Sequence, residues 1–186
     1  EVEVFEDINH TDPRFQVQYV IRPQTKDLPD YRGYAGEIIS GVYKKGDTIK
    51  ILPADIETTL TKIEIAGVEV EEAFAPQAVV LHIADDIDIS RGDTFVRIDK
   101  LPKVSNEIEA TLCWMDNKPL RQGNKYYLQH KCRLIRAIVS EIEYRIDVNS
   151  LERTEVTDTV KLNEVVKVKI KTAAPLVFDP FDRIND

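Results

Sequence analysis

A chain of 186 residues, 42% of them apolar, can bury a core as one large domain or two small ones and is not disordered by composition. Its net charge of −8 is uneven: residues 1–102 carry 11 Lys/Arg against 20 Asp/Glu and residues 103–186 carry 14 against 13, so the first half repels phosphate and no broad electrostatic binding of RNA or DNA is expected. Apolar runs such as "AVVLHIA" fall far short of the ~20 residues of a membrane-spanning helix, no charged-then-apolar leader is seen, and Cys113 and Cys132 form no CxxC pair, so the expectation is a protein of the reducing cytoplasm with no membrane partner.

Period-two patterning dominates the chain. "EIISGVY" and "TIKIL" are predicted as two strands of a hairpin joined by "KKGD", in which Gly46 takes a positive φ and Asp47 hydrogen-bonds its own turn. Gly41 within the first strand marks a bulge or a close backbone approach, Gly36 serves similarly at the strand's entry, and Pro53 ends the second strand. "TTLTKIEIAG" is a further strand, and "TFVRI" follows the turn "SRGD", where Gly92 supplies the backbone freedom. The polar, proline-containing "DKLPKVSN" is the expected boundary between two domains, residues 1–101 and 102–186. Beyond it, "NEIEATLCWM" places Ile108, Ala110, Leu112 and Trp114 on one face, "AIVSEIEYRIDV" is another strand, and "VVKVKIKT" alternates valine and isoleucine with lysine. No segment carries a helical stripe. The fold class predicted is all-β, with strands at the short spacing of barrels or sandwiches.

Four of the seven glycines fall in "YRGYAGEIISGVYKKGD". A phosphate-binding loop would need GxxxxGK followed by Ser or Thr, and the chain has no such string. "DYRG" matches the DxxG of a GTPase switch, and "NK" at Asn117–Lys118 begins a guanine-specificity motif, but Leu120 stands where that motif needs aspartate. The glycines are read as barrel geometry. "GEIISGVYKKGDTIKILP" resembles the second-domain signature of translation-type GTPases. With "RFQVQYVIRP", "YRGYAG", "EEAFAPQAV", "DDIDISRGD", "WMDNKPL", "YRIDVNSLE" and "PLVFDPF", the chain is similar to the GTPase subunit (subunit 1) of bacterial sulfate adenylyltransferase from about Arg14 to Asp182.

The resemblance implies two tandem β-barrels of the translation-GTPase domain 2 and domain 3 type, without the nucleotide domain that holds GTP and magnesium. It also implies a second barrel that lacks its closing strand, whose open edge would invite self-association. In that family a separate catalytic subunit makes adenosine 5′-phosphosulfate from ATP and sulfate, and subunit 1 couples GTP hydrolysis to the reaction. This chain would then carry no catalytic residue, no cofactor and no metal. Its role would be to dock the GTPase domain and the catalytic subunit. The segment expected to touch a partner is "RPQTKDLPDYRGY", because Arg22, Tyr31, Arg32 and Tyr34 are residue types enriched at interface centres, against the alternative that Tyr31 and Tyr34 pack on their own barrel. The rival readings are the same barrels from an elongation factor that binds aminoacyl-tRNA, which the acidic first block opposes, and a free-standing barrel that binds a sugar or peptide.

Other candidates weigh less. His130, Cys132 and Cys113 offer poor zinc spacing, and His10 and His82 stand alone. Asp85, Asp86 and Asp88 lack the glycine-turn spacing of a calcium loop and read as a solvated acidic loop. Arg91–Asp93 spells RGD but reads as a hairpin turn, and no serine sits in a nucleophile-elbow pattern.

Overall fold

The computed structural model describes residues 11–23, 31–155 and 159–181. The chain divides into two compact units, Glu1–Lys103 with Val177–Asp186, and Val104–Leu176.

The first unit contains β1 (Arg14–Gln16), β2 (Tyr19–Ile21), β3 (Gly33–Ser40), β4 (Val42–Lys44), β5 (Thr48–Leu52), β6 (Ile56–Ile65), β7 (Val68–Val70), β8 (Glu72–Phe74), β9 (Ala78–Ile83) and β10 (Thr94–Arg97). The order β1-β10-β5-β6-β9-β3 returns from β3 to β1, which closes a six-stranded antiparallel barrel. β2 and β7 extend it at β3 and β6, while β4 and β8 pair separately. Closure removes the free edges that an open sheet would expose. Inward residues alternate with outward ones, and Phe15, Tyr34, Ile38, Tyr43, Ile49, Ile51, Leu60, Ile63, Leu81 and Phe95 are all fully buried. Phe95 is the hub of this core: its ring centroid lies 5.4 Å from that of Phe15 and 5.5 Å from that of Tyr34, and its carbonyl accepts the Tyr43 hydroxyl at 2.7 Å. Burial and that hydrogen bond to an uncharged acceptor keep the Tyr43 phenol protonated, its pKa far above the ordinary value through desolvation.

The second unit contains β11 (Lys103–Cys113), β12 (Leu120–Arg121), β13 (Lys125–His130), β14 (Arg133–Ile146), β15 (Arg153–Thr154), β16 (Thr159–Val160) and β17 (Val165–Phe178). Its main sheet runs β11-β17-β14-β13, with β15 on β14 and a separate β12–β16 ladder. Val166, Val168 and Ile170 face a core with Leu120, Val139, Ile142 and Val160, and Ile108, Ala110, Leu112 and Trp114 of β11 and its end pack against it half-buried. The alternation read from the sequence therefore follows the sheet pleat in β11 and β17.

Two expectations are corrected. The sequence reading assigns everything after residue 101 to the second barrel, whereas the tail beyond Leu176 joins the first unit. Val177 packs with Leu52 and Val96, and Asp179 takes a bidentate grip from the buried Arg14, Nε to Oδ2 at 2.9 Å and Nη2 to Oδ1 at 2.8 Å. The second correction concerns "KKGD", which is a turn but not a hairpin. β5 pairs with β6 and β10, and β4 pairs with β8.

The reason is a turn design that recurs four times: Lys44–Asp47, Ser90–Asp93, Arg121–Asn124 and Lys161–Glu164. The third residue is left-handed in each, with φ of 90° at Gly46, 96° at Gly92, 78° at Gly123 and 64° at Asn163. Its N–H donates to the carbonyl of a remote segment, at Leu60, Val17, Val139 and Trp114 in turn, 2.7–2.8 Å away. The fourth residue donates back to the first carbonyl. In three cases its carboxylate also accepts the first N–H, Asp47 from Lys44 at 2.8 Å, Asp93 from Ser90 at 2.9 Å and Glu164 from Lys161 at 2.7 Å. With the turn tied elsewhere, the strand it launches (β5, β10, β13 or β17) pairs with neighbours other than the strand before it. Two-residue hairpins join β6 to β7, turned by Ala66 and Gly67, both at positive φ, and β13 to β14, turned by Lys131 at φ 53° and Cys132.

Gly41 meets the expectation of a close approach in a specific way: at φ 75° a Cβ there would lie 2.4 Å from Pro13 Cα. At Gly36 a Cβ would lie 2.4 Å from the Gln16 carbonyl oxygen and 3.0 Å from the Phe15 ring, so this position is fixed by space alone.

Candidate functional site

The richest cluster of polar side chains in the first unit lies over β3, β6 and β9. The segment that enters β3 brings Tyr31 and Arg32, β6 brings Lys62 and Glu64, and β9 brings His82. The β6–β9 register sets Lys62 opposite His82 and Glu64 opposite Val80. Arg22, Tyr31, Arg32, Lys62, His82 and Asp86 line a cleft of about 480 Å³.

Glu64 is its centre. Flanked by Ile63 and Ile65, it is only 8% exposed, a degree of burial that a carboxylate tolerates only with partners. It accepts the Tyr31 hydroxyl on Oε2 at 2.8 Å and pairs with Lys62 on Oε1, and His82 Nε2 stands 3.4 Å from Oε2, near enough for Coulombic attraction but not aligned for a hydrogen bond. Burial opposes ionisation of Glu64, yet the bonds from Lys62 and Tyr31, with His82 beside them, hold its pKa below the usual carboxylate value. The Tyr31 phenol is pushed up to about 12, first by burial, then by its bond to Glu64 and the carboxylate's charge. Tyr31 also meets the His82 ring edge-on, with centroids 5.0 Å apart. A second pair, Arg32 with Asp86, sits at the rim, and the Arg32 guanidinium lies 5.9 Å from the Tyr34 ring centroid. At neutral pH the cluster thus holds an ionised carboxylate, a neutral phenol and a protonated Lys62, with Arg22 and Arg32 beside them. That arrangement suits recognition by charge and hydrogen bonding; it holds no activated nucleophile.

Of the residues expected at a partner interface, Arg22, Tyr31 and Arg32 reach this cleft, with Arg22 exposed and the other two half-buried. Tyr34 also lines the cleft, but its side chain is fully buried and packs on Phe95, as the alternative of packing on its own barrel expects. Residues 24–30 of the same expected segment, and His10, lie outside the described residues. Glu64 and Lys62 were passed over by the sequence reading. The signal available for Glu64 was a carboxylate set between two isoleucines in a strand.

The remaining candidates are dispersed. Asp85 accepts from Thr58 at 2.7 Å, Asp86 is used by Arg32, and Asp88 is exposed. Cys113 Sγ lies 3.7 Å from Met115 Sδ on the surface, and His130 is half-buried, its pKa lowered by burial and by Lys131 and Arg133. Among the described residues no three His, Cys, Asp or Glu side chains converge as metal ligands, and no helix is long and apolar enough to cross a membrane. Gly92 of the RGD triplet is buried in a turn that donates to Val17, which leaves the tripeptide no projecting loop.

The fold is thus a closed six-stranded barrel in the first unit and a second all-strand unit, and its relatives are proteins of the translation-GTPase type. Residues 107–186 match the family described as GTP-eEF1A C-terminal domain-like. Among solved structures, Sup35 complexed with GMPPNP superposes with a TM-score of 0.79 at 12% identity, covering 100% of this chain and 44% of that one. Translation elongation factor SelB from Methanococcus maripaludis gives 0.72 at 18% identity, covering 96% and 39%. At those identities the likeness is one of fold. Closer in sequence are the bifunctional enzyme CysN/CysC of Mycobacterium tuberculosis, 44% identical across 95% of this chain and 29% of the relative, and sulfate adenylyltransferase subunit 1 of Bacteroides thetaiotaomicron, 35% identical across 98% and 38%. Over nearly its whole length the chain is homologous to sulfate adenylyltransferase subunit 1, and it spans about a third of the length of these relatives.

Proposed function

We propose that this chain is the non-catalytic β-barrel region of a sulfate adenylyltransferase subunit 1, serving in the cytoplasm as the platform on which a GTPase domain and a catalytic subunit dock. The observation that carries the reading is the 44% identity sustained over 95% of the chain with a CysN/CysC protein, which spans both barrels. GTP and magnesium would be held by the nucleotide domain of the whole subunit, and the barrels would pass its switch state to the catalytic subunit, so that GTP hydrolysis drives synthesis of adenosine 5′-phosphosulfate. A rigid closed barrel suits this role, since a contact made at one rim is transmitted without deformation of the core.

The cleft of Arg22, Tyr31 and Arg32 is the contact site favoured on the first unit, with Glu64 holding Tyr31 in place from beneath. The test is association of the full-length subunit 1 with its catalytic subunit, measured by calorimetry for wild type and for Arg22→Ala with Arg32→Ala. Loss of interface-centre arginines costs about 1–2 kcal/mol or more each, so a weakening of at least about tenfold is expected. Unchanged affinity removes this cleft from the interface. Failure of even the wild-type subunit to associate removes the docking role itself.

A further inference from the structure

The outer face of the first barrel carries a trough beside the Arg22–Arg32 cleft. Strand register sets four residues in one row: Tyr19 of β2 opposite Ala35 of β3, Ala35 opposite Val80 of β9, and Val80 opposite Glu64 of β6. Adjacent strands lie about 4.8 Å apart, so the two ends of the row stand roughly 14 Å from each other. The side chains between those ends are short and apolar. They floor a trough of about 340 Å³ that runs from Tyr19 to Glu64, and Glu37, opposite Ala78, lines it one pleat further along. Lys62 and His82, one pleat away in the other direction, belong to the cleft already described.

The walls of the trough carry one sign of charge. Glu37 and Glu64 line it, and no Lys, Arg or His does. Glu64 shares its charge with Lys62, but Glu37 is exposed and among the described residues makes no ion pair. The surrounding block has the same sign, with 11 Lys/Arg against 20 Asp/Glu in residues 1–102, so a phosphate-bearing occupant is repelled and a cation attracted. Tyr19, 67% exposed, adds an aromatic face at the other wall. Because Tyr19 stands opposite Ala35, Glu37 is its diagonal neighbour, and such pairs lie about 7–8 Å apart. One planar cation can reach both.

We propose that this trough takes an arginine side chain of a partner protein. Its methylene stem lies over Ala35 and Val80, its guanidinium plane rests on the Tyr19 ring, and its N–H fork meets the Glu37 carboxylate. Glu64 at the far wall adds to the attraction. Lysine fits less well, since an ammonium has neither the flat face for the ring nor the fork for the carboxylate. The inference is independent of the coupling role proposed above.

The experiment titrates the isotope-labelled full chain with a capped peptide that sets one arginine between leucines, and separately with its citrulline counterpart, which keeps the shape and loses the charge, following backbone amide signals. The arginine peptide is expected to shift the amides of Ala35, Glu37, Ala78 and Val80 and to bind about threefold or more tightly than the citrulline peptide. Glu37→Gln, at an exposed position, is expected to remove that difference and to leave the melting curve unchanged, and Tyr19→Ala to weaken the arginine peptide by a similar factor. Arg22→Ala with Arg32→Ala should leave its binding no weaker, which separates the trough from the cleft. Equal binding of the two peptides, shifts centred on the Arg22–Arg32 cleft or on the second unit, unaltered affinity in Glu37→Gln, or no perturbation at millimolar peptide would overturn the proposal.

Discussion

Replacing Asp179 by alanine tests how the first unit is closed. Arg14 is 3% exposed and four of its five N–H groups are committed, to Asp179 through Nε and Nη2 and to the carbonyls of Pro13 and Lys100 through Nη1 at 2.9 and 2.7 Å. In Asp179→Ala the guanidinium stays buried and keeps both carbonyls, but it loses its only described counter-charge and leaves two donors unmet. Breaking a buried pair from one side costs ~3–5 kcal/mol; the retained carbonyl bonds and the 23% exposure of Asp179, which lets water in, place this case at about 3 kcal/mol. Asp179→Asn, which keeps an acceptor and removes the charge, falls between alanine and wild type. The assay is urea unfolding with two probes: near-ultraviolet tyrosine circular dichroism, which includes the Tyr34 and Tyr43 core, and fluorescence of Trp114, the single tryptophan, in the second unit. The tyrosine transition should move to lower urea and separate from that of Trp114. A change below about 0.5 kcal/mol in Asp179→Ala, the size of an exposed pair, would refute the argument that this is a buried, structure-bearing contact.

Three further outcomes follow from other parts of the structure. Gly46→Ala meets open space at φ 90° and should cost only the ~1–2 kcal/mol of left-handed strain, whereas Gly41→Ala adds a collision with the Pro13 backbone and should cost distinctly more in the same urea assay. Spectrophotometric titration should show one tyrosine ionising near pH 12 that is lost in Tyr31→Phe; because the folded pKa is raised, the stability Tyr31 contributes is whole below pH 10 and is lost as pH rises toward 12. His130 has the opposite sense: its folded pKa lies below 6.5, so its contribution is present above pH 6.5 and lost as pH falls through the folded value, and His130→Gln should flatten the acid limb of a melting-temperature profile there.

What could be read from the sequence was what depends on period and on chemistry within a few residues. The alternation in "VVKVKIKT" and "NEIEATLCWM" gives β17 and β11 because the pleat enforces period two wherever one face is buried. The turns at Gly46 and Gly92 were visible for the same reason, since a glycine followed by a self-capping aspartate is a local signal. Strand partners were not visible. Nothing in "KKGD" states that the Gly46 N–H goes to Leu60, and that one non-local bond decides that β5 lies beside β6 and not beside β4. The burial of Tyr34 was hidden on the same grounds: "YRGY" does not say which tyrosine faces inward, but strand parity does, with Tyr34 directed into the barrel in a strand where Ile38 also points inward. Glu64 shows the limit from the other side. A carboxylate between two isoleucines is a local oddity, yet its meaning comes from Lys62 on its own strand, His82 on β9 and Tyr31 before β3, which the pairing of β6 with β9 and of β9 with β3 brings within reach of one another. The cleft that the proposed docking role uses is therefore a product of strand order, which no local stretch of sequence states. A side chain at Gly36, which would meet the Gln16 carbonyl and stands opposite Val79 of β9, should disturb the cleft by displacing β3 without touching any residue that lines it.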